Sequence, residues 1–172
     1  RTSVAYSHWM GCVVADFNED GNMDFIGISD TRNQYGIDLF LGDGTGAFTK
    51  VQILQTIANS NSGLREAAVG DFDLDGNMDF ALATYNKNGY WYVFYGDGNG
   101  NFEQYYAGDD QGSNADGYAM AAGDFNHDGK LDIITGGAYD GRYGTARRLF
   151  TGLGGARGSS AFIDEGYWGT QH

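Results

Sequence analysis

Proline is absent from the 172 residues, and Cys12 is the only cysteine. A single cysteine excludes an internal disulfide and a cysteine-based metal site. Because Cys12 stands in a short apolar segment, we expect it to be a small buried side chain. Glycine is abundant, with 29 residues, but it shows no period of three, which together with the lack of proline excludes a collagen-like chain. The composition instead favours many tight turns between short strands.

Positive charge is also scarce, since 10 Lys and Arg stand against 23 Asp and Glu and the formal net charge is −13. Such an acidic surface disfavours nucleic acid and anionic membranes as partners. No apolar run is long enough to span a bilayer, so we expect no membrane insertion. The chain has only three histidines and neither a Gly-x-Ser-x-Gly nor a His-Glu-x-x-His motif. We therefore expect no enzyme activity and no catalytic residues in this chain.

One acidic motif occurs three times: DFNEDGNMD at residues 16–24, DFDLDGNMD at 71–79 and DFNHDGKLD at 124–132. Positions 1, 3, 5 and 9 carry oxygen-bearing side chains, and the glycine at position 6 permits a sharp bend at positive φ. Hard divalent cations prefer oxygen ligands, and alternating side chains can direct several carboxylates at one centre. Ten of the 23 acidic residues stand at these four positions of the motifs, and three Ca²⁺ ions would bring the net charge to −7. The sequence predicts three calcium sites on which folding depends.

An EF-hand loop begins in the same way, but two features exclude it. Its position 12 requires a bidentate glutamate, and this chain has Gly27, Leu82 and Thr135 there. The flanking segments are short apolar runs bounded by glycine and acidic turns, which indicate strands rather than helices. Each ion is therefore predicted in a β-hairpin turn, with the aspartate at position 9 in place of the missing glutamate.

The acidic motif is part of a longer repeat. GDGTGAF at 42–48 recurs as GDGNGNF at 96–102, 54 residues later, and a degraded third copy occupies 151–162. A period near 50 with about four strands per unit is typical of a propeller blade. The predicted strands are 11–15, 25–29, 37–41 and 48–54 in the first unit, 66–70, 80–84, 90–95 and 102–107 in the second, and 119–123, 131–136, 146–150 and 161–165 in the third.

These motifs resemble the FG-GAP/VCBS repeats, including integrin α-subunit propellers and calcium-binding fungal propeller lectins. The resemblance covers residues 6–167 and implies an all-β fold of β-propeller-type blades. Each blade would have four antiparallel strands and a calcium-binding hairpin loop, in three repeats of about 54 residues (about 6–58, 59–112 and 113–172). It also implies side-chain ligands at positions 1, 3, 5 and 9 and a backbone carbonyl ligand at position 7. The implied ligands are Asp16, Asn18, Asp20, Asn22, Asp24, Asp71, Asp73, Asp75, Asn77, Asp79, Asp124, Asn126, Asp128, Lys130 and Asp132.

Five ligands from one loop nearly fill a calcium coordination shell, so the ions are expected to be structural. Closed propellers usually have four to eight blades, whereas this chain supplies three. Three blades alone would leave sheet edges and faces open. We therefore expect either self-association or a place in a longer propeller.

The loops between the second and third strands of each unit are candidate binding sites. They combine tyrosine with a cation or an amide, a mixture that suits stacking on sugar rings and hydrogen bonding to hydroxyls or carboxylates. The alternative is an ordinary polar loop whose tyrosines pack at the blade rim. The candidate ligand-binding residues are Arg32, Tyr35, Tyr85, Tyr90, Tyr139, Arg142 and Tyr143.

The expected function is an extracellular or cell-surface calcium-binding module that binds carbohydrate or extracellular protein. Outside the cytosol, millimolar calcium would keep sites of moderate affinity occupied. Two alternatives remain: a self-assembling structural subunit, and a non-catalytic part of a polysaccharide-degrading enzyme.

Overall fold

The computed structural model describes residues 8–31, 34–54, 63–85, 91–108, 116–138 and 146–167. These residues form three four-stranded antiparallel sheets. The strands of the first sheet are β1 (His8–Ala15), β2 (Asp24–Thr31), β3 (Gln34–Gly42) and β4 (Phe48–Leu54). Those of the second are β5 (Gly63–Gly70), β6 (Asp79–Tyr85), β7 (Trp91–Gly96) and β8 (Phe102–Gly108). Those of the third are β9 (Asp116–Gly123), β10 (Asp132–Ala138), β11 (Ala146–Gly152) and β12 (Phe162–Tyr167).

Each sheet is a meander, with its strands side by side in chain order. The all-β fold with three four-stranded antiparallel units is thus confirmed, whereas the residue boundaries given above for the blades stay a prediction. In the part of the chain described here, the one helix is the three-residue 3-10 turn Gly158–Ser160. No helix there is long and apolar enough to cross a membrane.

The two ends of each sheet carry different connections between strands. In the first sheet, the acidic motif joins β1 to β2 where Ala15 pairs with Asp24. The glycine-rich motif joins β3 to β4 at the same end, where Gly42 pairs with Phe48. The β2–β3 connection lies at the opposite end, next to the pair Thr31 and Gln34. Acidic and glycine-rich segments are therefore neighbours in space.

Apolar side chains fill two layers, one between the first and second sheets and one between the second and third. The middle sheet contributes to both layers because successive strand residues point to opposite faces. Its segment 80–83, Phe-Ala-Leu-Ala, is at most 2% exposed at every position. Phe80 and Leu82 belong to the first layer, and Ala81 belongs to the second. The sheets therefore stack face to face, as blades do in a propeller.

Two expectations from the sequence were wrong in detail. Cys12 is exposed rather than buried, because Val13 and Ala15 occupy the face of β1 that packs on the second sheet. Strands β1, β3, β5 and β9 each begin three residues earlier than predicted. In β5, Leu64 is buried but lies beyond a shift in the register with β6, so it does not continue the apolar pattern of residues 67–69 and its pairing could not be read from the sequence.

Candidate metal centre

Loop 1 (residues 16–24), loop 2 (71–79) and loop 3 (124–132) share one hydrogen-bond pattern around their first carboxylate. In loop 2, Asp71 Oδ1 accepts the backbone N–H of Asp75 at 3.1 Å, and Asp71 Oδ2 accepts that of Gly76 at 3.0 Å. Asp75 Oδ1 accepts the backbone N–H of Asn77 at 2.8 Å. The matching bonds exist in loops 1 and 3. Because bonds to an ionised acceptor are strong, the chain wraps tightly around position 1.

The backbone adopts the left-handed region at positions 4 and 6 of every loop. Position 6 is glycine, with φ of 85° in loop 1, 96° in loop 2 and 83° in loop 3. Position 4 is Glu19, Leu74 or His127, with φ of 57°, 62° and 63°, and all three side chains are exposed. A non-glycine residue in this region costs on the order of 1–2 kcal/mol. Since three unrelated side chains share it, the surrounding bonds impose this conformation.

The ninth residue of each loop is a buried carboxylate with two backbone partners. Asp79 is 0% exposed. Its Oδ2 accepts the N–H of Phe72 at 2.8 Å, and its Oδ1 accepts the N–H of Gly96 at 2.9 Å. Asp24 and Asp132 make the same two kinds of bond. The carboxylate therefore ties the acidic loop to the end of the third strand of its own sheet.

This connection between loop and strand explains why the first residue of the glycine-rich motif is glycine. A Cβ atom on Gly96 would lie 2.4 Å from the carbonyl oxygen of Met78, which no side chain can accept. Gly42 and Gly152 are equally close to the corresponding carbonyls. The two motifs that repeat along the sequence are thus two halves of one local structure. The carboxylate oxygens keep a further lone pair each, so the ligand role of position 9 stays a prediction.

Loop 2 brings three carboxylates together in an arrangement that could hold a metal ion. One oxygen from each of Asp71, Asp73 and Asp79 lies within 4.8 Å of the others. Loops 1 and 3 carry Asn18 and Asn126 at position 3, so this position has an amide oxygen there instead of a carboxylate oxygen. Burial, the largest cause, raises the pKa of Asp79 to about 7, and the charges of Asp73 and Asp75 add to it, although the two backbone bonds act in the opposite direction. Ionising the whole cluster therefore costs free energy unless a cation offsets the charge.

Arg157 is a part of this site that the sequence did not reveal. It comes from the degraded third glycine-rich segment, and its Nε donates to Asp73 Oδ2 while an Nη donates to Asp75 Oδ2 at 3.0 Å. The guanidinium lies 5.0 Å from the ring centre of Tyr95, and burial raises the pKa of that tyrosine to about 12. Loop 2 is the loop with aspartate at position 3, so Arg157 offsets the one negative charge that loops 1 and 3 lack.

Replacing Arg157 tests this compensation. We expect Arg157→Gln to lower the free energy of unfolding by about 1 kcal/mol, because Asp73 loses its partner while water screens part of the effect. In an Asp73→Asn background the same substitution should cost less, because the amide carries no charge, while the pair with Asp75 contributes in both backgrounds. Urea denaturation of the four proteins measures both losses. Equal losses in the two backgrounds would show that Arg157 does not act through the charge of Asp73.

Most of the candidate ligand-binding residues lie outside the described residues: Arg32, Tyr90, Tyr139, Arg142 and Tyr143. Tyr35 is in β3, where it pairs with Asp30, and Tyr85 is in β6, where it pairs with Gly63. Both positions lie at the end of their sheet opposite to the acidic loop. Both residues lie within strands rather than in the predicted loops, and their role in ligand binding stays a prediction.

Comparison with known proteins bears on the family of this chain. No curated protein matches the sequence significantly. Among solved structures, the endo-arabinase from Bacteroides thetaiotaomicron VPI-5482 is similar, with a TM-score of 0.60 and 14% identity over 89% of this chain and 59% of that one. At this identity the likeness shows the fold alone, and the chain spans about three fifths of that protein's length.

The family comparison agrees with the repeated loops. The model of the FG-GAP-like repeat matches twice, at residues 16–82 and 71–135. The first match begins at loop 1 and includes loop 2, and the second begins at loop 2 and includes loop 3. The overlapping matches cover most of the chain, and the protein therefore belongs to the FG-GAP-like repeat family.

Proposed function

We propose that the protein is an extracellular module whose three acidic loops each bind one structural calcium ion. The observation that carries this proposal is the group of Asp71, Asp73 and Asp79 oxygens within 4.8 Å of one another. Calcium takes oxygen ligands at about 2.3–2.6 Å, so oxygens on opposite sides of one ion are separated by roughly this distance. The donor set fits, because carboxylates, amides and backbone carbonyls are the oxygen donors that calcium prefers.

The shared backbone of the loops supports calcium in all three. Loops 1 and 3 reproduce the hydrogen bonds and the left-handed positions of loop 2, and they differ by one amide at position 3. In each loop a bound cation would offset the repulsion between carboxylates and the strain at position 4. Titration calorimetry of the metal-free protein should give three calcium ions per chain.

A stabilising role suits these ions better than a catalytic one. The ligands proposed for each ion come from one hairpin, and together with a backbone carbonyl they leave little room for a substrate. The endo-arabinase named above is an enzyme by its description, and that activity belongs to that protein. We propose that the present chain acts by binding, and release of sugar from a polysaccharide by the purified chain would contradict this.

The binding surface that we propose is the end of the sheets opposite to the acidic loops. Tyr35 and Tyr85 both occupy strand positions at this end, next to the segments that the sequence predicts as binding loops. Tyrosine rings stack on the apolar face of sugars and fill pockets at protein interfaces. Carbohydrate or an extracellular protein is therefore the proposed ligand class.

Alanine substitutions test this surface. On a glycan array, Tyr35→Ala, Tyr90→Ala and Tyr143→Ala should each weaken binding about tenfold, which corresponds to 1.4 kcal/mol for the loss of one stacked ring. Ile163→Ala is the matched control, because Ile163 is an exposed apolar residue near the acidic-loop end of the third sheet. If Ile163→Ala reduces glycan binding and the tyrosine variants do not, the binding surface lies elsewhere.

Two alternative functions have observations in their favour. A non-catalytic part of a polysaccharide-degrading enzyme is supported by the fold of the endo-arabinase and by the share of its length that this chain spans. A self-assembling subunit is supported by the number of sheets, which is below the four to eight of closed propellers. The two differ in the mass of the isolated chain in solution, since only self-assembly raises it.

A further inference from the structure

Successive sheets of the chain are joined by one repeated contact, in which an acidic loop packs on the glycine-rich turn of the following sheet. We call these turns turn 1 (residues 42–48), turn 2 (96–102) and turn 3 (152–162). At the first junction, the ring of Phe17 in loop 1 meets the ring of Phe102 edge to face, with centroids 5.6 Å apart. The backbone N–H of Gly100 donates to the carbonyl oxygen of Phe17 at 3.1 Å. Loop 1 is thus held by one aromatic contact and one backbone hydrogen bond.

The second junction repeats this arrangement. Phe72 in loop 2 meets Phe162 edge to face at 6.1 Å. The N–H of Gly155 in turn 3 donates to the carbonyl oxygen of Asp73 at 2.8 Å. The phenylalanine at position 2 is buried in both cases, with Phe17 1% and Phe72 2% exposed. Turn 3 differs in sequence from turn 2, so the contact depends on its geometry rather than on one exact motif.

Loop 3 and turn 1 are the two halves of this contact that remain open among the described residues. Phe125, at position 2 of loop 3, is 46% exposed, and Phe48, the counterpart of Phe102, is 51% exposed. A Cβ atom on Gly100 would lie 3.2 Å from Leu39, whereas one on Gly46, its counterpart in turn 1, would meet nothing within 4 Å. Val14, beside this face in β1, is 50% exposed.

The aromatic surface of the first sheet already has the geometry that receives a loop. Phe25 and Phe40 stack at 4.4 Å, and Phe48 meets Phe25 edge to face at 5.0 Å. In the second sheet, Phe80 and Phe94 stack at 4.4 Å, and Phe102 meets Phe80 at 5.1 Å. In this second group of rings, Phe17 of loop 1 packs on Phe102. Among the described residues, no further ring packs on Phe48 of the first group as Phe17 packs on Phe102.

We propose that loop 3 of one molecule docks on turn 1 of a second copy of this chain. Phe125 would then pack on Phe48, and the N–H of Gly46 would donate to a loop 3 carbonyl. This head-to-tail contact continues the two junctions inside the chain. A contact of this kind closes into a ring when the rotation allows it, and two copies supply six sheets, within the four to eight of closed propellers. The proposal rests on the self-assembly alternative above and does not require the sugar-binding surface.

Light scattering in the presence of calcium tests the contact. The 172-residue chain has a mass of 18.6 kDa, and we expect a species of twice this mass. Phe48→Ser and Phe125→Ser should each raise the dissociation constant by about 100-fold or more, because each removes an aromatic contact from both junctions of the ring. Both residues are exposed within one chain, so the variants should keep the circular dichroism spectrum of the parent, and their melting temperature should fall only by the stability that the dimer contact contributes. A larger assembly that both substitutions abolish also supports the contact, in an open form.

Mixing the two variants distinguishes a head-to-tail contact from a symmetric one. The Phe48→Ser protein keeps an intact loop 3, and the Phe125→Ser protein keeps an intact turn 1. An equimolar mixture therefore rebuilds one complete junction, and a dimer should reappear that is weaker than the parent dimer. A mixture that stays monomeric would overturn the proposal.

Val51→Ser is the matched control. Val51 is exposed and lies on β4 like Phe48, but an offset of three residues places it on the other face of the strand. This variant should dimerise as the parent does. A parent protein that is monomeric at every concentration, or a dimer unaffected by Phe48→Ser and Phe125→Ser, would overturn the contact. Calcium titration of the same samples shows separately whether the metal proposal holds.

Discussion

Removal of divalent cations with EGTA is expected to lower the melting temperature of the protein by about 15 °C or more. Each ion that binds only the folded state contributes about 2.7 kcal/mol when its concentration is 100 times the dissociation constant. Three sites together contribute about 8 kcal/mol, and in a domain of this size 1 kcal/mol corresponds to about 2–4 °C. Differential scanning calorimetry with calcium and with EGTA measures the difference.

The structural reason for this large effect is the state of the loops without an ion. Each loop gathers three or four carboxylates and holds one non-glycine residue in the left-handed region. A cation offsets that cost in the folded chain and has no comparable site in the unfolded chain. Returning calcium should restore the original transition, and an equal ionic strength of sodium chloride is the control for screening. A melting curve that does not change with EGTA would contradict structural calcium.

Asp79→Ala is expected to cause a large loss of stability in the middle sheet. The carboxylate is 0% exposed and holds two buried backbone N–H groups, those of Phe72 and Gly96. A buried donor without a partner costs about 1–3 kcal/mol, so the two together cost about 2–6 kcal/mol. Urea denaturation in EGTA measures the loss that comes from these two N–H groups alone, because no bound ion contributes to stability under that condition.

Asp97→Ala is the matched control for this prediction. Asp97 is an exposed aspartate of turn 2, and its Oδ1 also accepts two backbone N–H bonds, from Asn99 and Asn101. Water can replace the carboxylate there, so we expect a smaller loss than for Asp79→Ala. If Asp79→Ala were as stable as the parent protein in EGTA, the carboxylate would act only through a metal ion and not as the tie between loop and strand.

Much of the fold could be predicted from the sequence because its signals are local. The acidic motif contains its own turn, with a glycine at the bend and oxygen donors that accept neighbouring N–H groups. The apolar runs on either side of it are strands in each repeat. The spacing of 53 to 55 residues between copies fixed the number of repeating units. The match to the FG-GAP-like repeat confirms the family that these motifs indicated.

The contacts between sheets could not be predicted in this way. Arg157 and Asp73 are separated by 84 residues, and Arg157 lies in the segment where the repeat is degraded. The one sequence feature that relates to this ion pair is the aspartate at position 3 of loop 2. That feature indicates a cationic partner only when loop 2 and turn 3 are known to be in contact. The exposure of Cys12 likewise depends on which face of β1 the second sheet covers.

The sequence by itself determined the elements of this protein: its strands, its three acidic turns and the oxygen donors that they carry. Side-chain chemistry and backbone geometry within about ten residues are enough for that. Only the tertiary structure decided that Asp79 also anchors Gly96, that Arg157 reaches loop 2, and that Phe125 and Phe48 remain exposed. These features depend on how one sheet stacks on the next, which no single segment encodes.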